Sequence, residues 1–150
     1  MEVGGYENYL IYEDGRVQNN KTKRYLKQYD NGRGYYQVNL CKEGKGKLHK
    51  IHRLVGLHYL ANPDNKICLD HINRNSGDNR LENLRWATHS ENQQNTGVRK
   101  DNTSGIKNIS YSKSRDNYVY QKIIRGVRHE KSFKTLEEAI EYKNQYECSI

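Results

Sequence analysis

The chain lacks any run of roughly 18 apolar residues, so no segment is expected to cross a membrane as a helix. Its first ten residues, MEVGGYENYL, also lack the basic start and apolar stretch of a secretory leader, which points to a soluble, intracellular protein. Cysteine is scarce: Cys41, Cys68 and Cys148 are odd in number, widely spaced and free of any C-x-x-C pair. That excludes a disulfide framework and a zinc knuckle, and leaves reduced packing thiols as the expectation. Apolar residues make up only 33% of the 150, with a mean hydropathy of −1.16. One large core around a deep pocket is therefore not expected, and small units laid along a partner fit better.

What the chain does have is positive charge and tyrosine. Twenty-six Lys and Arg face 18 Asp and Glu, a net charge of +8. This predicts a polyanionic partner, because each Lys or Arg that displaces a condensed counterion from nucleic acid gains affinity through ion release. No basic amphipathic helix with a strong apolar face is present, so an anionic membrane surface is the poorer match. Thirteen of the fifteen aromatic residues are Tyr, which packs on its ring and bonds at its tip, as half-wet sheets and stacking surfaces require.

From Tyr6 to Leu48 the pattern has period two, punctuated by Asp14-Gly15, Asn31-Gly32 and Gly44-Lys45-Gly46, and predicts a small antiparallel β region. Ile51, Leu54, Val55 and His58 then recur at helical spacing, widened by Leu57 and Ala61, so a helix is expected to end before Asn62-Pro63. Ile67-Cys68-Leu69 reads as a strand, 73–79 as a polar loop, and Leu81 to Ala87 as extended chain. Thr88-His89-Ser90-Glu91 has the capping-box form and opens a short helix. After a linker, Ile106–Tyr111, Tyr118–Ile124 and Arg128–Phe133 are three candidate strands. A second capping box, Thr135 to Glu138, opens a last helix carrying Leu136, Ala139, Ile140 and Tyr146.

Chemistry concentrates in one stretch. Asp70-His71 closes an apolar strand, Asn83 follows His71 by twelve residues and Asn92 follows by nine more. An Asp at a strand end and an Asn on a helix can converge as oxygen ligands of a hard divalent cation, leaving room for water and phosphate. His71, with an ordinary imidazole pKa near 6.5, can accept a proton from water at neutral pH. Asn83 can bond across the loop and fix the backbone that carries His71. The remaining histidines, 49, 52, 58, 89 and 129, are expected to pack or cap; His52 stands at the helix start.

The stretches Leu69-Asp70-His71-Ile72-Asn73, Asn79 to Thr88, and Glu91-Asn92 resemble the HNH, or ββα-metal, endonucleases, especially the homing endonucleases of phages. Ile51 to Val55 and Asn62-Pro63 look like the helix that precedes that motif. Residues 1–48 resemble the β motif often fused in front of such modules, and 105–150, through Gly105 to Tyr111 and Leu136 to Ala139, resemble the Apetala-type DNA-binding domain. Asn92 stands where many members carry His, which is the HNN form of the nicking enzymes.

The resemblance implies an α+β protein: a DNA-contacting β region over 1–48, the nuclease module over 49–95, a linker over 96–104, and a three-stranded antiparallel sheet on one helix over 105–150. It implies His71 as base with Asn83 supporting it, and one Mg2+ or Mn2+ on Asp70 and Asn92, binding a phosphate oxygen and the departing 3′ oxygen. No structural zinc is expected, since no cysteine pairs flank the module, and Leu69, Leu84, Trp86 and the 51–61 helix are expected to hold it by packing. Duplex DNA is the implied partner, contacted through Arg53, Lys113, Arg115, Lys122, Arg125, Arg128 and Lys131. With a single constellation and no dimerisation seam, a monomer without an obligate protein partner is expected, nicking one strand at a time in the cytoplasm of an infected bacterium. A non-catalytic DNA-binding protein built on a decayed nuclease is the alternative. Asp70, His71, Asn83 and Asn92 standing together favour the enzyme.

Overall fold

Alternating side chains build the first sheets. Strands β1 (Glu2–Val3), β2 (Tyr6–Ile11) and β3 (Val17–Asn19) pair antiparallel in that order, and β4 (Tyr29–Asp30), β5 (Tyr36–Lys42) and β6 (Lys45–Lys50) form a second antiparallel sheet. Every second residue turns inward, so Tyr9, Ile11, Val38 and Leu40 are buried while their neighbours face out. The computed structural model describes residues 1–149. Its two compact units are Met1–Thr96 and Gly97–Ile150. Both are built from small antiparallel sheets and few helices, a mixed α+β architecture.

In the first unit the two sheets share one core with helix α1 (Ile51–Tyr59). Val3, Ile11, Val17, Val38 and Leu40 pack with Ile51, Leu54, Val55 and Leu84. The β region and the segment after it are thus one packing unit. Helix α1 stops at Tyr59, earlier than its apolar spacing suggested; the Leu60 N–H still reaches the Gly56 carbonyl, but Leu60 itself is extended. Gly56 lets strand β7 (Cys68–His71) approach, since a Cβ there would stand 2.6 Å from a Leu69 methyl. Strand β8 (Leu84–Ala87) pairs antiparallel with β7, and a single 3-10 turn, Leu81–Asn83, leads into it.

Helix α2 (His89–Gln94) follows at once. Its capping box is complete, with Thr88 Oγ1 accepting the Glu91 N–H at 3.2 Å and Glu91 Oε2 accepting the Thr88 N–H at 2.6 Å. Lys66 fastens Glu91 from the loop before β7, at 3.0 Å.

The second unit is the sheet β9 (Ile109–Ser112), β10 (Asn117–Ile124) and β11 (Val127–Phe133), with helix α3 (Leu136–Cys148) behind it. Tyr120, Ile109 and Ala139 are its buried centre, with Tyr142 and Tyr146 stacked at 5.5 Å beside them. Thr135 caps α3 by the same reciprocal box as Thr88. No helix among the described residues is long and apolar enough to cross a membrane.

Candidate active site

Strand β7 ends on Asp70 and His71, both only 5% exposed, and register with β8 sets Asp70 opposite Arg85 and His71 opposite Leu84. A carboxylate with so little water needs partners. Asp70 Oδ2 accepts from Arg85 Nε at 3.0 Å and from Arg85 Nη2 at 2.9 Å. Asn95, which ends α2, places its Nδ2 3.0 Å from each Asp70 oxygen, 2.8 Å from the His71 carbonyl and 3.4 Å from that of Ile72. Four oxygens thus surround one amide nitrogen that has two hydrogens to give. Oxygen outnumbers hydrogen there, and such surroundings suit a hard cation.

Asn83 does what its spacing suggested. Its Oδ1 accepts the Asn73 N–H at 2.9 Å, its Nδ2 donates to the Asp78 carbonyl at 2.8 Å, and its carbonyl accepts the Ile72 N–H at 2.8 Å. Both ends of the loop that leaves His71 are therefore tied to one buried amide. Arg80 adds a two-pronged bond to Asp78, 2.9 Å on each oxygen, which holds that carboxyl down to about 2.

His71 lies in a box of rings. His52 stands edge-on at 5.1 Å between centroids, and Tyr35 tilts over both, 5.2 Å from His52 and 6.0 Å from His71. Lys50 Nζ stands 5.3 Å from the Tyr35 ring centroid. His52 is 5% exposed, and its Nδ1 is buried without a partner. Burial first, then the neighbouring His71, Lys50 and Arg53, lowers its pKa to about 3, so it is a neutral ring at physiological pH. His52 packs; the helix N-cap position belongs to Lys50, which makes no side-chain cap.

Of the four proposed site residues, the structure brings Asp70, His71 and Asn83 together. Asn92 is exposed on α2, and the bond from that helix end to Asp70 comes from Asn95 instead. The sequence gives Asn95 no role beyond closing the 49–95 module. Among the described residues, no three His, Cys, Asp or Glu side chains gather as a metal cluster. A site made of one carboxylate, amide oxygens, water and phosphate would not form one. The donor set around Asp70 fits Mg2+ or Mn2+, which accept few protein ligands and keep several waters. An open cavity of about 390 Å3, lined by Lys66, Arg85, Trp86, Glu91, Gln94 and Asn95, adjoins the Asp70 partners.

Residues 49–94 match the family model for HNH endonucleases. The chain carries an HNH endonuclease domain. Among relatives of this domain, an uncharacterised HNH endonuclease of Acanthamoeba polyphaga mimivirus is 43% identical over 97 residues, 63% of this chain and 24% of that protein. The DNA endonuclease I-HmuI of Bacillus phage SP01 is 35% identical over 95 residues, 63% of this chain and 55% of its own length. The solved structure of that HNH homing endonuclease, described as binding and cleaving DNA, superposes with a TM-score of 0.58 at 28% identity and covers 94% of this chain and 80% of that one. The sequence matches thus span from about a quarter to about half of these relatives. The HNH domain contains Asp70, His71, Asn83 and Asn92.

The basic residues fall into distinct surroundings. Arg53, on α1, donates to the Ile67 carbonyl at 3.0 Å and lies 6.0 Å from the Trp86 ring, whose Nε1 holds the Leu60 carbonyl at 3.2 Å. In the second unit, Lys122 and Lys131 share the helix-covered side with Tyr120. Lys122 pairs with Glu147 of α3 at 3.3 Å, and Lys131 Nζ sits 4.3 Å from the Tyr142 ring centroid. Arg128 lies on the open side beside Glu130, while Lys113, Arg115 and Arg125 are exposed at or beside the strand turns. Period two separates these sets, because cross-strand partners point to the same face.

Proposed function

We propose that this chain is a metal-dependent DNA endonuclease of the phage homing type. Water attacks a phosphodiester, His71 takes the proton, and the P–O3′ bond breaks to leave a 5′ phosphate and a 3′ hydroxyl. The observation that carries this reading is the pair Asp70-His71 at the end of β7, closed by the Asn83-tied loop, inside the segment that matches the HNH family. Asp70 and Asn92 would hold one Mg2+ or Mn2+. When bound, the ion supplies Lewis-acid stabilisation of the charge that develops on phosphate and leaving oxygen.

Duplex DNA is the proposed substrate and partner, supported by the +8 charge and by what the phage relative binds. The protein works as a monomer in the cytoplasm of an infected bacterium, consistent with a single HNH constellation and a phage relative. With one in-line site, one strand is cut per encounter. Supercoiled plasmid should pass to open circles in Mg2+ and stay intact in EDTA. Binding without any cutting over a range of divalent ions would overturn the reading in favour of a decayed nuclease.

The second unit is the proposed DNA reader. Arg53 from the first unit and Lys113, Arg115, Arg125 and Arg128 from the second are the contacts whose exposure suits phosphate or base edges, whereas Lys122, paired with Glu147, and Lys131, over the Tyr142 ring, have partners on the helix side. Replacing Arg115 and Arg128 together by Gln should reduce the salt dependence of binding, by roughly 0.9 in slope for each phosphate contact removed. An unchanged affinity and slope would remove these two residues from the interface.

A further inference from the structure

The amide of Asn79 is oriented by its own bonds. Asn79 is 6% exposed and lies in the loop between β7 and β8. Its Nδ2 donates to the Gly77 carbonyl at 3.2 Å, which fixes that end of the amide as the nitrogen. The other end, Oδ1, then faces His71 Nε2 at 3.3 Å. Amide oxygen can only accept, so the imidazole nitrogen facing it has to carry the hydrogen. A neutral imidazole has one N–H, which leaves the lone pair on Nδ1.

We infer that Asn79 is a positioning residue that selects the Nε2–H tautomer of His71 and so makes Nδ1 the atom that takes the proton from water. The inference rests on the reading of His71 as the base. In the step, one O–H bond of water breaks and its proton passes to Nδ1, the new O–P bond forms, and the P–O3′ bond breaks with its electron pair kept by the 3′ oxygen, which takes a proton from solvent to become the hydroxyl. Asn79 exchanges no atom; it determines which ring nitrogen is free. Without it, a neutral His71 can place its hydrogen on Nδ1 and lose the basic site.

The β region holds Asn79 in place. The turn between β2 and β3 carries Gly15 at φ +84°, and a Cβ on Gly15 would stand 3.1 Å from Asn79 Cβ and 3.1 Å from an Ile51 methyl. Only a residue without a side chain lets this turn close on both. The Leu81 N–H donates to the Glu13 carbonyl at 2.7 Å, tying the same loop to the same turn. A hairpin far from β7 in sequence thus backs the residue that orients the base.

The test uses the full-length chain in mildly alkaline buffer. Long-range 1H–15N spectra distinguish the two tautomers of His71 directly, and the His71→Ala spectrum assigns the signals. The wild type and the Asn79→Asp variant, which keeps an acceptor oxygen, should both show the Nε2–H form. Asn79→Leu should show a mixture and lose kcat by roughly 10²-fold or more with little change in KM, as expected when a general base is mis-set. The Asn79→Asp variant should recover most of that loss. An Nδ1–H signature in the wild type overturns the proposal even if no variant folds. So does full activity of Asn79→Leu, or an Asn79→Asp variant as inactive as Asn79→Leu. If His71→Ala itself cuts DNA at the wild-type rate, the reading of His71 as base fails, while the tautomer result still stands or falls on the spectra.

Discussion

Replacing His71 by Ala is expected to reduce single-turnover cleavage of duplex DNA by roughly 10²- to 10⁴-fold, the range a general base contributes, while DNA affinity stays nearly unchanged. The physical reason is separation of roles. The substitution removes the proposed proton acceptor but leaves Asp70, Asn92 and every exposed basic side chain in place, and His71 is buried among Tyr35, His52 and Asn79. Asp70→Ala should act differently. It removes the proposed metal ligand and strips Arg85 of its partner, so activity should fall even at saturating Mg2+. Asn92→Ala should raise the metal concentration needed, or abolish activity at saturating metal. Gel-shift affinity measured beside cleavage rate checks all three variants, and near-normal cleavage by His71→Ala at neutral pH would remove it from the mechanism.

Folding stability should fall with acid through one buried ring. His52 has a pKa of about 3 in the folded chain and an ordinary value of 6.5 when exposed. Between those values the unfolded chain binds a proton that the folded chain refuses. The contribution of the neutral ring is therefore complete above pH 6.5 and is lost as pH falls toward 3, at up to about 1.4 kcal/mol per pH unit. His52→Phe keeps a ring against His71 and Tyr35 but cannot take the proton. Urea denaturation at pH 7.5 and pH 5 should show the wild type losing about 2 kcal/mol more than the variant over that interval. Equal losses in the two proteins would show that His52 is charged or exposed in the folded state.

Local signals in the sequence proved readable where a few neighbouring residues decide the structure. Thr88 with Glu91 and Thr135 with Glu138 specify helix starts by bonds made within one turn, and both boxes formed. Asp14-Gly15 likewise made its hairpin, because Gly15 can take the positive φ that the turn demands. Leu84 and Leu69 pack as expected of a module without zinc. Other features depend on distant partners. The two-residue strand Glu2–Val3 has a single apolar residue and exists only because β2 receives it. The run from Tyr25 to Tyr29 meets the edge of β3 at one isolated bridge, Gln18 to Tyr25, beside a Leu26 N–H donating to the Val17 carbonyl at 2.8 Å, and pairs again only from Tyr29, where β4 begins. The C-terminal sheet begins at Ile109, later than Ile106, because Asn108 takes a positive φ that breaks the extended run.

The site divides in the same way. Asp70, His71 and Asn83 were legible from spacing, because β7, the loop and β8 are contiguous and their register fixes the geometry. Asn79 and Asn95 were not. Each is one Asn in a polar stretch, and its meaning comes from where tertiary packing sets the loop and the end of α2 against β7. His52 carried only a helix-start signal; its neutral state follows from Tyr35 and His71 closing over it. Lys122 and Lys131 look like their basic neighbours until strand pairing assigns them to the face that α3 covers.

Cleavage in water enriched in 18O tests the central claim most directly. If His71 activates water against phosphorus, a single turnover of the intact chain with Mg2+ places one 18O in the 5′ phosphate, leaves an unlabelled 3′ hydroxyl, and yields nothing in EDTA. A 3′ phosphate, an unlabelled 5′ phosphate, or the same cutting without divalent metal would contradict the account.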